Sequence, residues 1–292
     1  MRIGMELAEF GWGSEPAELG PVLRRVAEVA DDAGFDLVGV GDHLWQGPHA
    51  GGPERRQLEC FTTLAVIAAH TRRCRIAPVV AGVHFRQPAL LAKTVTTLDV
   101  LSGGRAMLGV GAGWYADEAT GMGFPFPPLA RRFEMLEETL RVCLRLWDGE
   151  QGDERPFEGA HYRLDRPLNL PQSLTRPHPP IMVGGDGKKA LRLVARYADA
   201  CNVYPSPDLG AKLGLLREYC AEEGRDYDAI EKTAIFPFGV GADGSGTDEL
   251  VGELRRWAAE GIQTAIGIVA DTDPVRQLEI IGEKVIPAVA DV

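Results

Sequence analysis

Strict alternation of short apolar runs with amphipathic stretches predicts an α/β protein, and eight such strand–helix units within 292 residues predict a (β/α)8 TIM barrel. Repeated βα units build a parallel sheet covered by helices. Eight of them over this length suit closure better than an open, doubly wound sheet. A third observation agrees: polar, aromatic and glycine residues collect after the apolar runs, at the C-terminal rim where this fold forms its sites.

Residues 3–7 read as the first strand. Leu19, Leu23, Val26, Ala30 and Ala33 then recur at helical spacing until Gly34, and residues 35–40 form the second strand. A helix over 58–70 leads to a strand over 75–81. Pro88 opens a helix carrying Leu91, Val95 and Leu98 on one face, and Gly103-Gly104 ends it. The fourth strand covers 106–110, and Phe133, Leu136, Leu140, Cys143 and Trp147 line the long helix that follows. Residues 149–180 break the rhythm. They are proline-rich, hold a small hairpin near 157–163, and read as an insertion after the fourth helix. The remaining strands fall at 181–183, 199–203, 232–240 and 263–269, with helices between them at about 208–223 and 247–260 and a last helix at the end. No linker or low-complexity tract divides the chain, so residues 1–292 are expected to form one domain.

The formal net charge is -11, which disfavours nucleic-acid and anionic-membrane partners, since both need a basic face. The 5 cysteines are odd in number and lack C-x-x-C spacing, so a reducing compartment fits better than a disulfide scaffold. With no signal-like start and no apolar run near ~18 residues, the expected location is the cytoplasm.

The richest local feature is the turn Gly184-Gly185-Asp186-Gly187-Lys188-Lys189 between a strand and a helix. A helix N-terminus offers free backbone N–H groups and a positive dipole end, and glycine lets an anion come close. A phosphate site follows from that chemistry, although a tight turn that binds nothing has the same spacing. Asp42-His43 follows the second strand as a proton-handling pair. Gly109 to Gly113 is small enough to admit a flat ring or a ligand close to the backbone, and a close strand–helix contact would give the same pattern. Trp45 and Trp114 sit on loops and suit a pocket wall, whereas Trp147 and Trp257 fall on helices and suit the core. The six histidines form no H-x-H or H-x-x-x-H pair, so no metal site is expected, and no G-x-S-x-G marks a serine hydrolase.

Taken together, several motifs resemble the bacterial luciferase-like flavin and deazaflavin oxidoreductases, in particular the actinobacterial branch that uses coenzyme F420. They are Gly41-Asp42-His43-Leu44-Trp45, Gln87-Pro88-Ala89-Leu90-Leu91-Ala92-Lys93, and Thr97-Leu98-Asp99-Val100-Leu101-Ser102-Gly103-Gly104-Arg105. Gly111-Ala112-Gly113-Trp114-Tyr115 with Glu118, Gly123-Phe124-Pro125-Phe126-Pro127-Pro128, and Pro179 to Gly185 complete the set. The resemblance implies a barrel, usually dimeric, with the cofactor ring in its mouth against Gly111, Ala112 and Gly113 and its phosphate on the glycine turn. It also implies a bulged third strand with a non-prolyl cis peptide at Val79–Val80, and cofactor or substrate contacts from Asp42 and His43.

The chain departs from the pattern in places. Trp114 stands where some deazaflavin dehydrogenases carry a catalytic glutamate, Ala190 where a hydroxyl is frequent, and His84 where threonine is frequent; Asp186 puts a negative charge beside the expected phosphate. The resulting expectation is an oxidoreductase moving hydride between F420 and a small molecule with a C=C, C=N or C=O bond. His43 is the proton donor and His84 the second candidate, and Trp45, Trp114 and Glu118 line the substrate pocket. Arg86, Lys188, Lys189, Arg131 and Arg132 offer a basic rim for the cofactor tail. An FMN-dependent monooxygenase and a non-catalytic flavin- or deazaflavin-binding protein are the alternatives; Trp45 and Trp114 plugging the mouth would favour the latter.

Overall fold

A computed structural model describes residues 1–13, 15–241, 243–269 and 273–292. Its strands are β1 (Arg2–Leu7), β2 (Leu37–Val40), β3 (Arg75–Pro78), β4 (Ala81–Gly82), β5 (Leu108–Gly111), β6 (Phe157–Glu158), β7 (Arg163–Leu164), β8 (Ile181–Gly184), β9 (Ala200–Val203), β10 (Glu231–Pro237) and β11 (Thr264–Ile268). The pair β6–β7 is the antiparallel hairpin of the insertion, and the other strands form one 9-stranded parallel sheet ordered β3-β2-β1-β11-β10-β9-β8-β5-β4. Its two ends, β3 and β4, are halves of one interrupted strand. Ile76 closes the circle by pairing with the segment before β5, donating to Arg105 O and accepting from Met107 N, each at 2.9 Å. The sheet is therefore the expected eight-membered barrel, with the third member broken where a continuous strand over 75–81 was predicted.

The break lies at Val79–Val80, whose peptide is cis. A Cβ on Gly109 would stand 2.0 Å from Pro78 O, so the kinked segment can lie against β5 only because that residue is glycine. Val80 projects between Gly111 and Gly184, where added Cβ atoms would lie 2.9 and 2.7 Å from its methyls. The glycine-rich end of β5 thus makes room first for a neighbouring strand.

Two-residue periodicity sorts the barrel into two cores. Ile3, Met5 and Leu7 of β1 face outward under the helices, and Gly4 and Glu6 face inward. The lumen is filled by Leu37, Ala77, Val79, Met107, Met182, Ala200, Ile235 and Ile266, topped by half-buried Val80 and Ile268. A filled lumen leaves the mouth as the place for a site.

Outside run α1 (Leu19–Ala33), α2 (Cys60–His70), α3 (Pro88–Ser102), α4 (Ala116–Gly121), α5 (Leu129–Leu146), α6 (Lys188–Tyr197), α7 (Leu209–Glu222), α8 (Thr247–Ala259), α9 (Pro274–Ile280) and α10 (Ile286–Ala288), the last two joined by a π-turn over Ile281–Val285. Trp147 and Trp257 are buried as expected. The insertion is bonded to α3 and α5. Glu138 accepts from the N–H groups of Ala160, His161 and Tyr162, and Asp99 accepts from those of Leu174 and Thr175. No described helix is long and apolar enough to cross a membrane.

Candidate active site

The loop after β2 delivers Asp42 and His43 to the rim, but in different directions. Asp42 points inward, where its Oδ2 accepts from the Gly82 N–H at 2.9 Å and from Arg86 at 2.6 Å; Arg86 also holds Glu59 at 2.7 Å. Burial pushes the Asp42 carboxyl upward, and Arg86 and the Gly82 N–H pull against it. A buried carboxylate must find donors, and Asp42 finds them in β4 and Arg86 rather than in His43, so it does not orient the imidazole ring. It reaches His43 only as a nearby charge.

The partner of His43 is Glu118 on α4. Glu118 is 1 % exposed, so it stands behind the histidine rather than on an open wall. Its Oε2 lies 2.9 Å from His43 Nδ1, and its Oε1 accepts from the backbone N–H groups of Leu44 at 2.5 Å and Trp45 at 2.9 Å. One carboxylate thus fixes both the loop and the ring, and an ionised Glu118 requires the proton on Nδ1. Burial alone would lower the His43 pKa; the Glu118 hydrogen bond and the charges of Glu118, Glu6 and Asp42 outweigh it and raise it. Burial raises Glu118, and the His43 bond with the two N–H groups brings it below the ordinary carboxylate range.

Glu6 belongs to this cluster. It faces into the barrel mouth, is 8 % exposed and makes no hydrogen bond to a described residue. A Cβ on Gly41 would lie 2.8 Å from its Oε1 and 3.7 Å from His43 Cδ2, so carboxyl and imidazole both border the space that this glycine leaves open. Burial lifts the Glu6 pKa to about 7, against the pull of His43.

His84 is different in kind. Its ring lies among Phe85 (centroids 4.0 Å), Phe126 (5.1 Å) and Gly113, and neither nitrogen has a partner. Burial lowers its pKa to about 4, so it is neutral at pH 7. Trp114 stacks on Tyr115 (5.1 Å, 12°), meets His43 in a T-shaped contact (5.5 Å), and is 56 % exposed. Trp45 lies against Gly121 of α4, where a Cβ would be 2.2 Å from its ring. Neither indole buries His43, whose side chain remains 26 % exposed.

On the opposite rim, α6 starts at Lys188 with no side-chain cap from Gly187. Gly185 takes a left-handed φ of 109°, and its N–H is used by Asn202 O at 3.0 Å. The exposed donors therefore belong to Gly187, Lys188 and Lys189 rather than to Gly185. Asp186 is held by Lys212 of α7 at 2.7 Å, so its charge is neutralised from a helix that sequence spacing did not connect to the turn. Lys189 lies 5.9 Å over the Phe133 ring, and Lys188 makes no ion pair with a described residue. Ala112 and Gly113 give their carbonyl oxygens to Arg132 at 3.0 and 3.5 Å, which fixes the loop between the two rims.

Among curated relatives, an F420-dependent glucose-6-phosphate dehydrogenase of Nakamurella multipartita is 30% identical over 258 residues, 86% of this chain and 72% of its own length. An uncharacterized protein of Mycobacterium tuberculosis is 35% identical over 77% of this chain and 80% of its own. In fold, the chain resembles a solved F420-dependent secondary alcohol dehydrogenase in complex with an F420-acetone adduct, with a TM-score of 0.82 at 20% identity over 99% of each chain. It also resembles the coenzyme F420 dependent tetrahydromethanopterin reductase of Methanopyrus kandleri, with a TM-score of 0.79 at 18% identity over 98% of this chain and 99% of the other. The model of the luciferase-like monooxygenases matches residues 7–275, and the chain belongs to that family.

Proposed function

We propose that this protein is an F420-dependent oxidoreductase acting on a small molecule with a polarised C=C, C=N or C=O bond. The observation that carries the reading is the two-sided mouth: a histidine held by a buried glutamate on one rim, and an uncapped helix N-terminus bearing two lysines on the other. The residues present fit the cofactor. Gly111 and Gly184 leave Val80 as a low floor, and the exposed N–H groups of Gly187, Lys188 and Lys189 suit a phosphate. The basic side chains of Lys188 and Lys189 suit a tail with several carboxylates better than the short ribityl phosphate of FMN. Relatives named as F420-dependent support the same choice.

Bound in reduced form, F420 supplies a hydride from C5. The chain supplies position and a proton. His43 keeps Nδ1 on Glu118 and leaves Nε2 toward the mouth, where it protonates the atom that becomes negative as its neighbour accepts hydride. The Glu118 hydrogen bond and the charges of Glu118, Glu6 and Asp42 favour the protonated imidazole, and neutral His84 packs with Phe85 and Phe126 along one wall. A dimer belongs to this reading: α2 and α3 present Val66, Leu90 and Leu101 to solvent beside a groove of about 490 Å³. So does the cytoplasm, since all five cysteines are free and buried.

Titration of the purified protein with oxidised F420 and with FMN tests the reading. F420 should bind at least tenfold tighter, about 1.4 kcal/mol. Tighter FMN binding would favour the monooxygenase, and no binding of either would remove the function.

A further inference from the structure

We infer that the substrate is a planar, uncharged, conjugated carbonyl compound that stacks on the free face of Trp114, and not a sugar phosphate; this rests on the cofactor site proposed above. Trp114 is a large and open side chain beside His43, 56 % exposed; Tyr204, after β9, is the other large exposed aromatic on this rim among the described residues. One face of the Trp114 indole is held by Tyr115 (5.1 Å, 12°), and its plane stands steeply to the His43 ring (5.5 Å, 73°). Behind it, a Cβ on Gly47 would touch the ring at 3.5 Å. An indole held in this way stacks flat π-systems; it also accepts the C–H face of a sugar, so the exclusion of a sugar phosphate rests on charge. A compound lying on the indole has His43 Nε2 at its side, which suits a carbonyl oxygen as acceptor.

Charge argues against an anion here. His43 is already paired with Glu118, with the Glu6 carboxyl and the Arg86-paired Asp42 near it, so its imidazolium has little charge to spare for an anion. The cations nearest the aromatic floor are engaged. Arg86 holds Asp42 and Glu59. Arg132 lies 3.8 Å over Phe126 and donates to the carbonyls of Ala112, Gly113 and Pro127. Lys212 holds Asp186 and Asp208. The unpaired Lys188 and the open N–H groups of α6 lie where the cofactor phosphate is placed. His84 adds a buried ring without charge.

Saturation-transfer NMR with 2-cyclohexen-1-one and with glucose 6-phosphate tests the inference, on F420-loaded and on cofactor-free protein, wild type and Trp114→Ala. The enone should bind loaded protein at least tenfold tighter than glucose 6-phosphate. Trp114→Ala should weaken the enone tenfold or more while F420 affinity stays within threefold. Equal or tighter binding of glucose 6-phosphate, an unaffected Trp114→Ala variant, or no enone signal on loaded protein overturns it. The platform exists without cofactor. If F420 itself fails to bind, enone contact that depends on Trp114 in the free protein keeps this inference while the cofactor reading falls, and its absence sinks both.

Discussion

The two rims of the barrel mouth are built from different materials. The β8–α6 rim is backbone: glycines, the open end of a helix, and lysines that reach water. The β1–β2–α4 rim is side chain: Glu6, His43 and Glu118, half or fully buried and drawn from segments up to 75 residues apart in hydrogen-bonded contact. A backbone anion site tolerates loss of any one side chain, because its donors belong to the fold. A buried cluster of titrating groups does not, because each member sets the charge of the next.

The largest effect should therefore fall on the side-chain rim. His43→Ala should lower turnover by ~10² to 10⁴ while cofactor affinity changes no more than a few-fold. If saturating cofactor restores the rate, His43 serves binding and the contrast between the rims fails.

Glu6 sharpens the contrast through stability. Its pKa rises from 4.5 to about 7 on folding, so the folded state favours the protonated acid. That contribution is full below pH 4.5 and is lost as pH climbs through 7. Glu6→Gln should match wild type in urea unfolding at pH 5 and exceed it at pH 9 by on the order of 3 kcal/mol. An offset that does not change with pH would mean that Glu6 is no part of the charge cluster.

The smallest effect belongs to the backbone rim. Removing both Lys188 and Lys189 should weaken F420 binding about tenfold and flatten its salt dependence, since screened side-chain charge is lost while the N–H donors remain. Loss of all binding would show that the lysines, not the helix end, hold the anion.

The same division explains what the sequence made legible. The alternation of runs and the glycine turn depend on neighbours in the chain, and spacing reports them; the break in the third strand is implied only by the family resemblance, since spacing alone gives one strand over 75–81. His43 is marked by its place after β2, and adjacency names Asp42, which acts on its charge, but not Glu118, which holds its ring. Glu118 lies on a short helix whose approach to His43 no local pattern states. Glu6 left a trace, as an acid at an inward position of an otherwise apolar strand, Ile3-Gly4-Met5-Glu6-Leu7. Lys212 left none: its pairing with Asp186 arises only when α7 packs beside α6.

A crystal structure with bound F420 tests the central claim most directly. The account places the cofactor phosphate on the N–H groups of Gly187, Lys188 and Lys189, and His43 Nε2 within hydrogen-bonding reach of the space facing C5, with Glu118 still on Nδ1. A phosphate bound elsewhere, or an imidazole turned away from that space, would contradict it.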